Sequence, residues 1–357
     1  MMLYIHVPFC RHKCVYCDFM SGTNINLRRN YIDRLREEWN ARKVADIRTL
    51  YFGGGTPSML FLTEIIEITE MLGRPEVEEW TIECNPEDMS DEWLKGIKQL
   101  GVSRLSIGVQ SLNDRELKWM ERRHSAEEAK EAVCKARNAG FDNISVDVIF
   151  GLPGQTIESL RSTINGVLSL GVEHISAYSL MFEEGSKITM KNVQPIDEDV
   201  AAEMYHVICD MLAAAGYEHY EISNWAKSGF RARHNYGYWT GEPYIGLGPA
   251  AHSFDGHAVR QANVANTLKW LKGEEPEVEH LTDEERFNER VMLGLRTAEG
   301  IDLKTLRHDF PEEWVDQLEK ELAHYDAYLT YSQERISLFP RGVYISDLIM
   351  QAGIRVN

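Results

Sequence analysis

The stretch LYIHVPFCRHKCVYC, residues 3–17, joins a predicted β-strand to a loop that carries three cysteines within eight residues. Its first five residues are mostly apolar and are bounded by a proline, which is typical of a short buried strand. Cys10, Cys14 and Cys17 follow directly. In parallel α/β proteins, ligands bind beyond the carboxyl ends of the strands. The order of strand and cysteines therefore predicts a site at this end of a sheet.

Five further segments repeat the pattern of a short apolar run followed by an amphipathic stretch. The predicted strands are LYIHV (3–7), TLYF (49–52), EWTIE (79–83), RLSIGV (104–109), NISVDVIF (143–150) and HISAYSL (174–180). Ser90, Ser125 and Thr156 stand where helix N-caps are expected, whereas glycines stand where helices should end. These glycines are Gly101, Gly140 and Gly171. Such regular alternation predicts a parallel sheet with right-handed crossovers, either an open barrel or a doubly wound sheet.

The composition is that of an acidic globular protein. Its 357 residues include 38 Lys+Arg and 56 Asp+Glu, which gives a formal net charge of −18. An acidic surface repels phosphate backbones, so the charge argues against a nucleic-acid partner. No apolar run approaches the roughly 20 residues that a membrane span requires. The amino-terminal residues lack the features of a secretory signal. We therefore expect a cytoplasmic protein with no integral membrane segment, whose cysteines are ligands, nucleophiles or buried thiols rather than disulfides.

Polar residues and glycines follow the predicted strands at the ends where ligands should bind. They are Gly53–Thr56 after the second strand, Glu83–Pro86 after the third, Gln110 after the fourth and Gly151–Gly154 after the fifth. A hydrophobic core alone would not need such residues at one strand end after another. Their placement predicts a catalytic or cofactor site at the carboxyl ends of the strands.

Three kinds of chemistry fit the cysteine loop. A zinc ion would need a fourth ligand, for which His6 or His12 is available. A disulfide would use two of the thiols. A cuboidal iron–sulfur cluster ordinarily takes four cysteines, so three would leave one iron open to another ligand. The odd number of cysteines favours the cluster, with zinc and a disulfide as the alternatives.

The pattern CxxxCxYC, followed after the next strand by GGGTP, resembles the radical S-adenosylmethionine (SAM) superfamily. The resemblance implies a [4Fe-4S] cluster on Cys10, Cys14 and Cys17, whose open iron binds the methionine end of SAM. It also implies that the reduced cluster passes one electron to SAM, which yields a 5′-deoxyadenosyl radical.

A closer resemblance is to the oxygen-independent coproporphyrinogen III oxidase family. It rests on the blocks YIHVPFC, YCDF, YFGGGTPS, RLSIGVQS, DVIFGLPGQT and GLGPAAHSF. This resemblance implies a partial (β/α)6 barrel with SAM bound at the carboxyl ends of the strands. The implied SAM-binding residues are Tyr4, Tyr16, Gly54, Gly55, Thr56, Glu83, Gln110, Arg122 and Asp147.

Within that family, the sequence resembles the heme chaperone branch more than the decarboxylating oxidases. Phe19 stands where the oxidases have a further cysteine, the chain reaches Cys10 without a long extension, and HNYGYW (234–239) matches the HNxxYW pattern of the chaperones. The resemblance implies heme bound at His234, Tyr238 and Trp239 and passed to heme-accepting proteins. His252 and His257 are alternative heme ligands, and oxidative decarboxylation of coproporphyrinogen III is the alternative function.

The chain is expected to divide into three parts. Residues 1–220 form the predicted radical SAM core, and residues 221–285 form a connecting segment rich in aromatics and glycine that we expect to be irregular. Residues 286–357 contain predicted helices and a short hairpin, in an order resembling a winged helix. Because the chain is acidic, this last part is not expected to bind DNA. The remaining cysteines, Cys84, Cys134 and Cys209, are expected to be buried thiols.

Overall fold

A computed structural model of the protein describes residues 1–42, 44, 46–182, 186–190 and 193–355. Its strands are β1 (Met2–Val7), β2 (Thr49–Gly54), β3 (Glu79–Cys84), β4 (Arg104–Gln110), β5 (Ile144–Phe150), β6 (His174–Ser179), β7 (Glu218–Glu221), β8 (Asn224–Ala226), β9 (Tyr244–Leu247), β10 (His252–Phe254), β11 (Val259–Ala262), β12 (Glu277–His280), β13 (Ile301–Asp302), β14 (Thr330–Ser332) and β15 (Arg335–Ser337). All six predicted strands are confirmed by β1 to β6.

The α-helices alternate with these strands in the first half of the chain and dominate its end. They are α1 (Arg28–Arg42), α2 (Leu62–Met71), α3 (Asp91–Gln99), α4 (Asp114–Trp119), α5 (Ala126–Asn138), α6 (Ile157–Ser169), α7 (Lys187–Met190), α8 (Glu198–Ala214), α9 (Arg233–Trp239), α10 (Thr267–Leu271), α11 (Asp283–Arg296), α12 (Leu303–Asp309), α13 (Glu312–Leu322) and α14 (Ser346–Gly353). The predicted N-caps are confirmed: Ser90, Ser125 and Thr156 each accept a hydrogen bond from a backbone amide of the helix that follows.

The order of the strands distinguishes the two predicted sheet types. Strands β1 to β6 lie side by side in sequential order, and each pair is parallel. A doubly wound sheet would reverse its order at a switch point. The observed order is that of an open (β/α)6 barrel, so the partial barrel is confirmed. No helix in the described ranges is long and apolar enough to cross a bilayer.

The segment 221–285 differs from the expectation of irregular structure. It contributes β8 to the β6 edge of the sheet and β9 to the β1 edge, where Met2 pairs with Tyr244 in parallel. Strands β10, β11 and β12 continue from β9, so the main sheet has twelve strands within the described ranges. The new strands are only three or four residues long. Period-two alternation cannot be recognised in runs that short, so these strands could not be predicted from the sequence.

The inner face of the barrel is polar. Successive side chains of a strand point to opposite faces, so the buried residues Leu3, Ile5 and Val7 face the helices while Tyr4 and His6 face inward. Alternation along the other strands places a similar polar set inside, and hydrogen bonds between neighbouring strands connect its members. This inner space, called the lumen below, is lined by Tyr51, Glu83, Arg104, Ser106, Ser145, Asp147, His174 and Ser176 among others.

The carboxyl-terminal part has the predicted winged-helix-like order. Helix α11 is followed by β13, α12, α13 and the hairpin of β14 and β15, and the three strands form a separate sheet in the order β13-β15-β14. Helix α11 buries Phe287, Val291 and Leu295, which recur at spacings of four residues and so form one face of the helix. The predicted division at residues 220 and 285 stays a prediction.

Candidate functional site

A cavity of about 430 Å³ lies at the carboxyl ends of β1 to β6. This volume is within the roughly 300–1,000 Å³ typical of small-molecule sites. The cavity brings together all three cysteines of the loop and every predicted SAM-binding residue except Tyr4. The predicted residues that line it are Cys10, Cys14, Cys17, Tyr16, Gly54, Gly55, Thr56, Glu83, Gln110, Arg122 and Asp147.

A chain of hydrogen bonds connects two of the thiols across the cavity wall. The Thr56 hydroxyl donates to Cys10 Sγ (3.4 Å) and accepts from Asn85 Nδ2 (3.2 Å). Arg122 donates to Asn85 Oδ1 (2.7 Å) and to Cys14 Sγ (3.5 Å). Asn85 belongs to the Glu83–Pro86 stretch that the sequence places at the site, although it was not among the implied SAM-binding residues. Hydrogen bonds to ligand sulfurs help to set the reduction potential of an iron–sulfur cluster. These hydrogen bonds would therefore affect the chemistry of a bound cluster as well as hold the loop in place.

Arg122, the last member of this series of hydrogen bonds, has one donor that the series does not use. Arg122 Nε is buried and has no hydrogen-bond partner within the described residues. A buried donor without a partner costs roughly 1–3 kcal/mol unless a ligand or water accepts its hydrogen bond. The cavity wall therefore offers an acceptor group, such as a carboxylate, a place to bind.

The thiols lie in surroundings that disfavour their ionised form. Burial raises the pKa of Cys10, and it raises the pKa of Cys17 to about 11. Metal ligands must be thiolates, so a cation bound here would have to displace these protons. The six cysteines are free thiols in the structure. Cys84 is buried as expected and Cys209 is half-buried, whereas Cys134 is exposed on α5, so the expectation of burial is wrong for Cys134.

The two histidines that were candidates for a fourth zinc ligand have other partners in the structure. No group of three His, Cys, Asp or Glu side chains in the described part of the chain is arranged to hold a single metal ion. Both ring nitrogens of His6 are engaged, Nδ1 with the Tyr4 hydroxyl (3.1 Å) and Nε2 with the Met20 carbonyl (2.8 Å). His12 Nε2 pairs with Glu121 (3.0 Å). The predicted fourth zinc ligands are therefore committed to other partners.

The glycine run after β2 lets the chain approach the cysteine loop closely. Gly54 has a φ of 109°, a conformation that side chains rarely adopt. A Cβ on Gly55 would lie 2.9 Å from the Phe9 carbonyl oxygen and 3.1 Å from Cys10 Sγ. Any larger residue would push the loop away, so glycine is needed here to bring the two strand ends together.

Two carboxyl groups form the floor of the cavity. Glu83 accepts hydrogen bonds from the Tyr51 hydroxyl (2.8 Å) and the Gly54 amide (3.1 Å). Burial raises the pKa of Glu83 to about 7, with a further rise caused by the negative charge of Asp147. Burial also raises the pKa of Asp147, which accepts from the Ser106 hydroxyl (3.3 Å). Near neutral pH this floor can therefore take up or release a proton.

The remaining predicted SAM residue, Tyr4, lies below the cavity rather than in its wall. Its hydroxyl contacts His6, and its ring centroid is 5.9 Å from that of Tyr51 and 6.5 Å from that of His234. Tyr4 therefore connects the cavity to the lumen beneath it. Its predicted contact with SAM stays a prediction.

The HNYGYW segment forms α9, which closes the opposite end of the lumen. His234 is fully buried, with Nδ1 2.8 Å from the Thr49 hydroxyl and Nε2 2.9 Å from the Tyr238 hydroxyl. Burial lowers the pKa of His234 to about 3, so its imidazole is neutral. Because both ring nitrogens are engaged, His234 could ligate heme iron only after leaving Thr49 or Tyr238. Heme binding at this residue stays a prediction.

The other predicted heme residues lie around α9. The guanidinium carbon of Arg296, on α11, lies 4.2 Å above the Trp239 ring, so the segment also contacts the carboxyl-terminal part. Tyr238 packs edge-on against Tyr244 with ring centroids 4.7 Å apart. His252 and His257, the alternative heme ligands, are both exposed outside the lumen.

Comparisons with known proteins agree with this geometry. Residues 4–166 match the model of the radical SAM superfamily, and residues 281–345 match that of the HemN C-terminal domain. The chain superimposes on the coproporphyrinogen III oxidase HemN from Escherichia coli with a TM-score of 0.86 at 20% identity, over 98% of this chain and 89% of that chain. At this identity the likeness establishes the fold alone.

Similar sequences cover nearly the whole chain. The heme chaperone HemW from Lactococcus lactis is 36% identical over 86% of this chain and 84% of its own length. HemW from Bacillus subtilis is 34% identical over 97% of this chain and 99% of its own length. The mitochondrial radical S-adenosyl methionine domain-containing protein 1 from Danio rerio is 34% identical over 84% of this chain and 73% of its own length. The chain therefore belongs to the radical SAM superfamily and, within it, to the family of the HemW heme chaperones.

Proposed function

We propose that the protein is a heme chaperone, which binds heme and transfers it to heme-accepting proteins. The observation that carries the proposal is the similarity to HemW from Bacillus subtilis over 97% of this chain and 99% of that protein. A match of this extent includes the barrel, the HNYGYW segment and the carboxyl-terminal part together. The expected cytoplasmic location stays a prediction.

The scaffold would carry a [4Fe-4S] cluster and SAM in the cavity at the strand ends. Cys10, Cys14 and Cys17 would hold the cluster, which when bound supplies one-electron chemistry toward SAM. Thr56 and Arg122 would donate hydrogen bonds to the ligand sulfurs, as they already do to Cys10 and Cys14. The fit is supported by the three thiols that line one cavity and by the unpartnered Arg122 Nε.

SAM would lie against the glycine run and the carboxylate floor. Gly54, Gly55 and Thr56 would meet its methionine end, where the absence of side chains permits close backbone approach. The unpartnered Arg122 Nε is suited to its carboxylate, and ionised Glu83 or Asp147 would attract its positive charges. Tyr16 and Gln110, which also line the cavity, would complete the contacts.

Heme would be the cargo rather than a resident cofactor. The predicted residues His234, Tyr238 and Trp239 support heme binding through the sequence pattern that they form. In this structure, however, they close the lumen, so binding there would require α9 to move. The alternative function, decarboxylation of coproporphyrinogen III, uses the same cavity for catalysis and predicts a different product.

A single preparation tests both functions. The full chain is reconstituted anaerobically with iron and sulfide, then divided between a heme titration with transfer to an apo-heme protein and an assay for decarboxylation of coproporphyrinogen III. A chaperone gives a Soret band on heme addition and passes the heme on, with no loss of carboxyl groups from coproporphyrinogen.

Two results would contradict the proposal. The first is failure of the reconstituted protein to bind heme, and the second is reductant-dependent decarboxylation with stoichiometric 5′-deoxyadenosine. A Cys14→Ala variant serves as the control, because it should lose cluster absorption and any SAM chemistry while its heme titration reports whether the cluster is needed.

A further inference from the structure

The surface beside the cysteine loop carries exposed basic side chains, although the chain as a whole has a formal net charge of −18. These side chains come from the loop itself and from α4 with the residues that follow it. The two segments are joined directly. The Val15 amide donates to the Met120 carbonyl at 3.3 Å, and His12 Nε2 pairs with Glu121 at 3.0 Å. The loop and the segment 114–123 therefore form one continuous surface.

Four cations on this surface have no ion pair among the described residues. They are Lys13, Arg115, Lys118 and Arg123. Lys13 is half-buried and the other three are exposed. Arg115 and Lys118 are three residues apart on α4, so they share one face of the helix. These four residues are called the basic face below.

Most acidic side chains near the basic face are already neutralised. Glu121 contacts both His12 and Lys187, and Asp88 pairs with Arg11 at 2.8 Å. The exposed acids that are left are Asp18 and Asp114. The unpaired cations outnumber these two acids, so the local charge is positive in a chain that is otherwise acidic.

The basic face borders the thiols of the cavity at the strand ends. Lys13 lines that cavity together with Cys14 and Cys17, which are both only half-buried. Arg122, the neighbour of Arg123 in the chain, donates to Cys14 Sγ at 3.5 Å. A protein bound on the basic face would therefore lie close to two of the three thiols.

Aromatic side chains accompany the cations. Phe19 is exposed at the mouth of the cavity. Trp119, next to Lys118, is half-buried and packs beside the cluster of Leu117 and Met120. Aromatic residues and arginine are enriched in the contact surfaces of protein complexes. The basic face therefore has the composition of a protein interface rather than of an ordinary solvated surface.

We propose that the basic face docks an acidic protein that delivers one electron to the cluster. The donor protein is oxidised by one electron and the [4Fe-4S] cluster is reduced from the 2+ to the 1+ state, with no transfer of atoms. The inference rests on the proposed function, because it needs a cluster on the three thiols. The acidic remainder of the chain would repel such a donor, so the basic face would select the orientation that brings the donor to the cysteine loop.

Binding without electron transfer is the first test. The probe is an oxidised, acidic plant-type [2Fe-2S] ferredoxin, titrated onto the reconstituted full chain. Lys118→Glu/Arg123→Glu should raise the Kd at low salt about tenfold, because it replaces attraction by repulsion. The Kd of the wild type should rise with ionic strength, since salt screens exposed charges, and the Kd of the variant should not.

The control is a second double variant with the same change in net charge. Lys304→Glu/Lys320→Glu alters two exposed lysines of the carboxyl-terminal part, neither of which has an ion pair among the described residues. It should bind the ferredoxin within about twofold of the wild type. This comparison separates the basic face from the effect of total charge.

The rate of cluster reduction is the second test, measured by rapid mixing and loss of cluster absorption. Photoreduced ferredoxin should reduce the Lys118→Glu/Arg123→Glu variant about tenfold more slowly than the wild type at low salt. The methyl viologen radical is a small donor with a positive charge. It should reduce the variant at least as fast as the wild type, which would show that the cluster itself is intact.

Three outcomes would overturn the inference. In the first, the Lys118→Glu/Arg123→Glu variant has the Kd and the reduction rate of the wild type with ferredoxin. In the second, ferredoxin reduces no cluster in the wild type although the viologen radical does. In the third, the wild type sediments with phosphatidylserine vesicles, the variant does not, and both bind ferredoxin equally, so the basic face contacts a membrane.

These outcomes are distinguishable from failure of the proposed function. Each of them concerns the basic face alone, so heme binding and heme transfer by the same preparation would be unaffected. If the reconstituted wild type shows no cluster absorption, the inference and the proposed cluster site fail together.

Discussion

The carboxylate of Glu79, the first residue of β3, accepts a hydrogen bond of 3.1 Å from the backbone amide of His234. Its second oxygen accepts from the amide of Arg233 at 3.0 Å. These are two of the amides that a helix leaves unpaired at its amino-terminal end, and a negative charge there is favourable. The cap joins α9 to the sheet whose opposite end carries the cysteine loop, so the HNYGYW segment is built into the barrel.

Removal of this cap should destabilise the protein. We expect Glu79→Ala to lower the free energy of unfolding by about 1–3 kcal/mol, because the buried amide of His234 and the partly buried amide of Arg233 lose their acceptor. Urea unfolding measures the change. Glu127→Gln, in an exposed ion pair with Lys130, is the control and should remain within about 0.5 kcal/mol of the wild type. A Glu79→Ala variant as stable as the control would mean that solvent replaces the cap at no cost.

His234→Ala should be mainly a stability variant. It removes a fully buried ring and leaves the Thr49 and Tyr238 hydroxyls without their partner. We expect a loss of about 2–4 kcal/mol from the combined cavity and unsatisfied polar groups. Thermal and urea unfolding measure it, with the exposed His252→Ala as control. Unchanged stability in His234→Ala would show that the lumen tolerates an opening at α9.

Thr56→Val should alter the reconstituted cluster without removing a ligand. The variant loses the hydrogen bond to Cys10 Sγ and the acceptor of Asn85 Nδ2. A ligand sulfur that loses a hydrogen bond holds more negative charge, so we expect a lower reduction potential. Anaerobic redox titration measures the shift, and Thr56→Ser should retain the wild-type potential. Equal potentials for the valine and serine variants would contradict a role of this hydroxyl.

Glu83 should make stability depend on pH. Its pKa is about 7 in the folded protein against an ordinary value of 4.5, so the folded state binds more protons between these pH values. The free energy of unfolding contributed by this group therefore falls as the pH rises through that window, by at most about 3 kcal/mol. Glu83→Gln should match the wild type near pH 5 and exceed its stability at pH 8. Parallel pH profiles of the two proteins would contradict this sign.

Arg104 should keep the cavity floor ionised. This residue is almost completely buried, and its Nε and Nη1 have no hydrogen-bond partner in the described part of the chain. Its positive charge lowers the pKa of both Glu83 and Asp147. Arg104→Met should therefore raise both pKa values, and we expect SAM binding at pH 7 to weaken about fivefold if the pKa of Glu83 rises by one unit from about 7, because its ionised fraction falls from about one half to about one eleventh.

The measurement for Arg104 is equilibrium binding of SAM as a function of pH. Affinity of the Arg104→Met variant should recover at higher pH, where the two carboxyl groups ionise despite the missing charge. Arg104→Lys keeps the charge and should bind as the wild type at pH 7. A loss in Arg104→Met that persists at every pH would indicate a structural role instead.

Much of the barrel could be predicted because its determinants are local. The strands β1 to β6 are short apolar runs, and their helices begin at residues such as Ser125 and Thr156 whose side chains cap the next turn. Residues at the carboxyl ends of parallel strands converge by topology, so Glu83 and Gln110 were correctly predicted to share a site with the cysteines. Asp147, in the middle of β5, was assigned to that site only by the family resemblance.

The features that could be learned only from the tertiary structure depend on contacts between residues far apart in the chain. Glu79 and His234 are separated by 155 positions, and no local pattern indicates that one caps the other. A second cavity, lined by His257 and His308 among others, likewise forms only because α12 packs near the loop after β10. The sequence by itself determined the strands, the helix caps and the cysteine loop, since each depends on near neighbours. Packing of distant elements decided that HNYGYW closes the lumen.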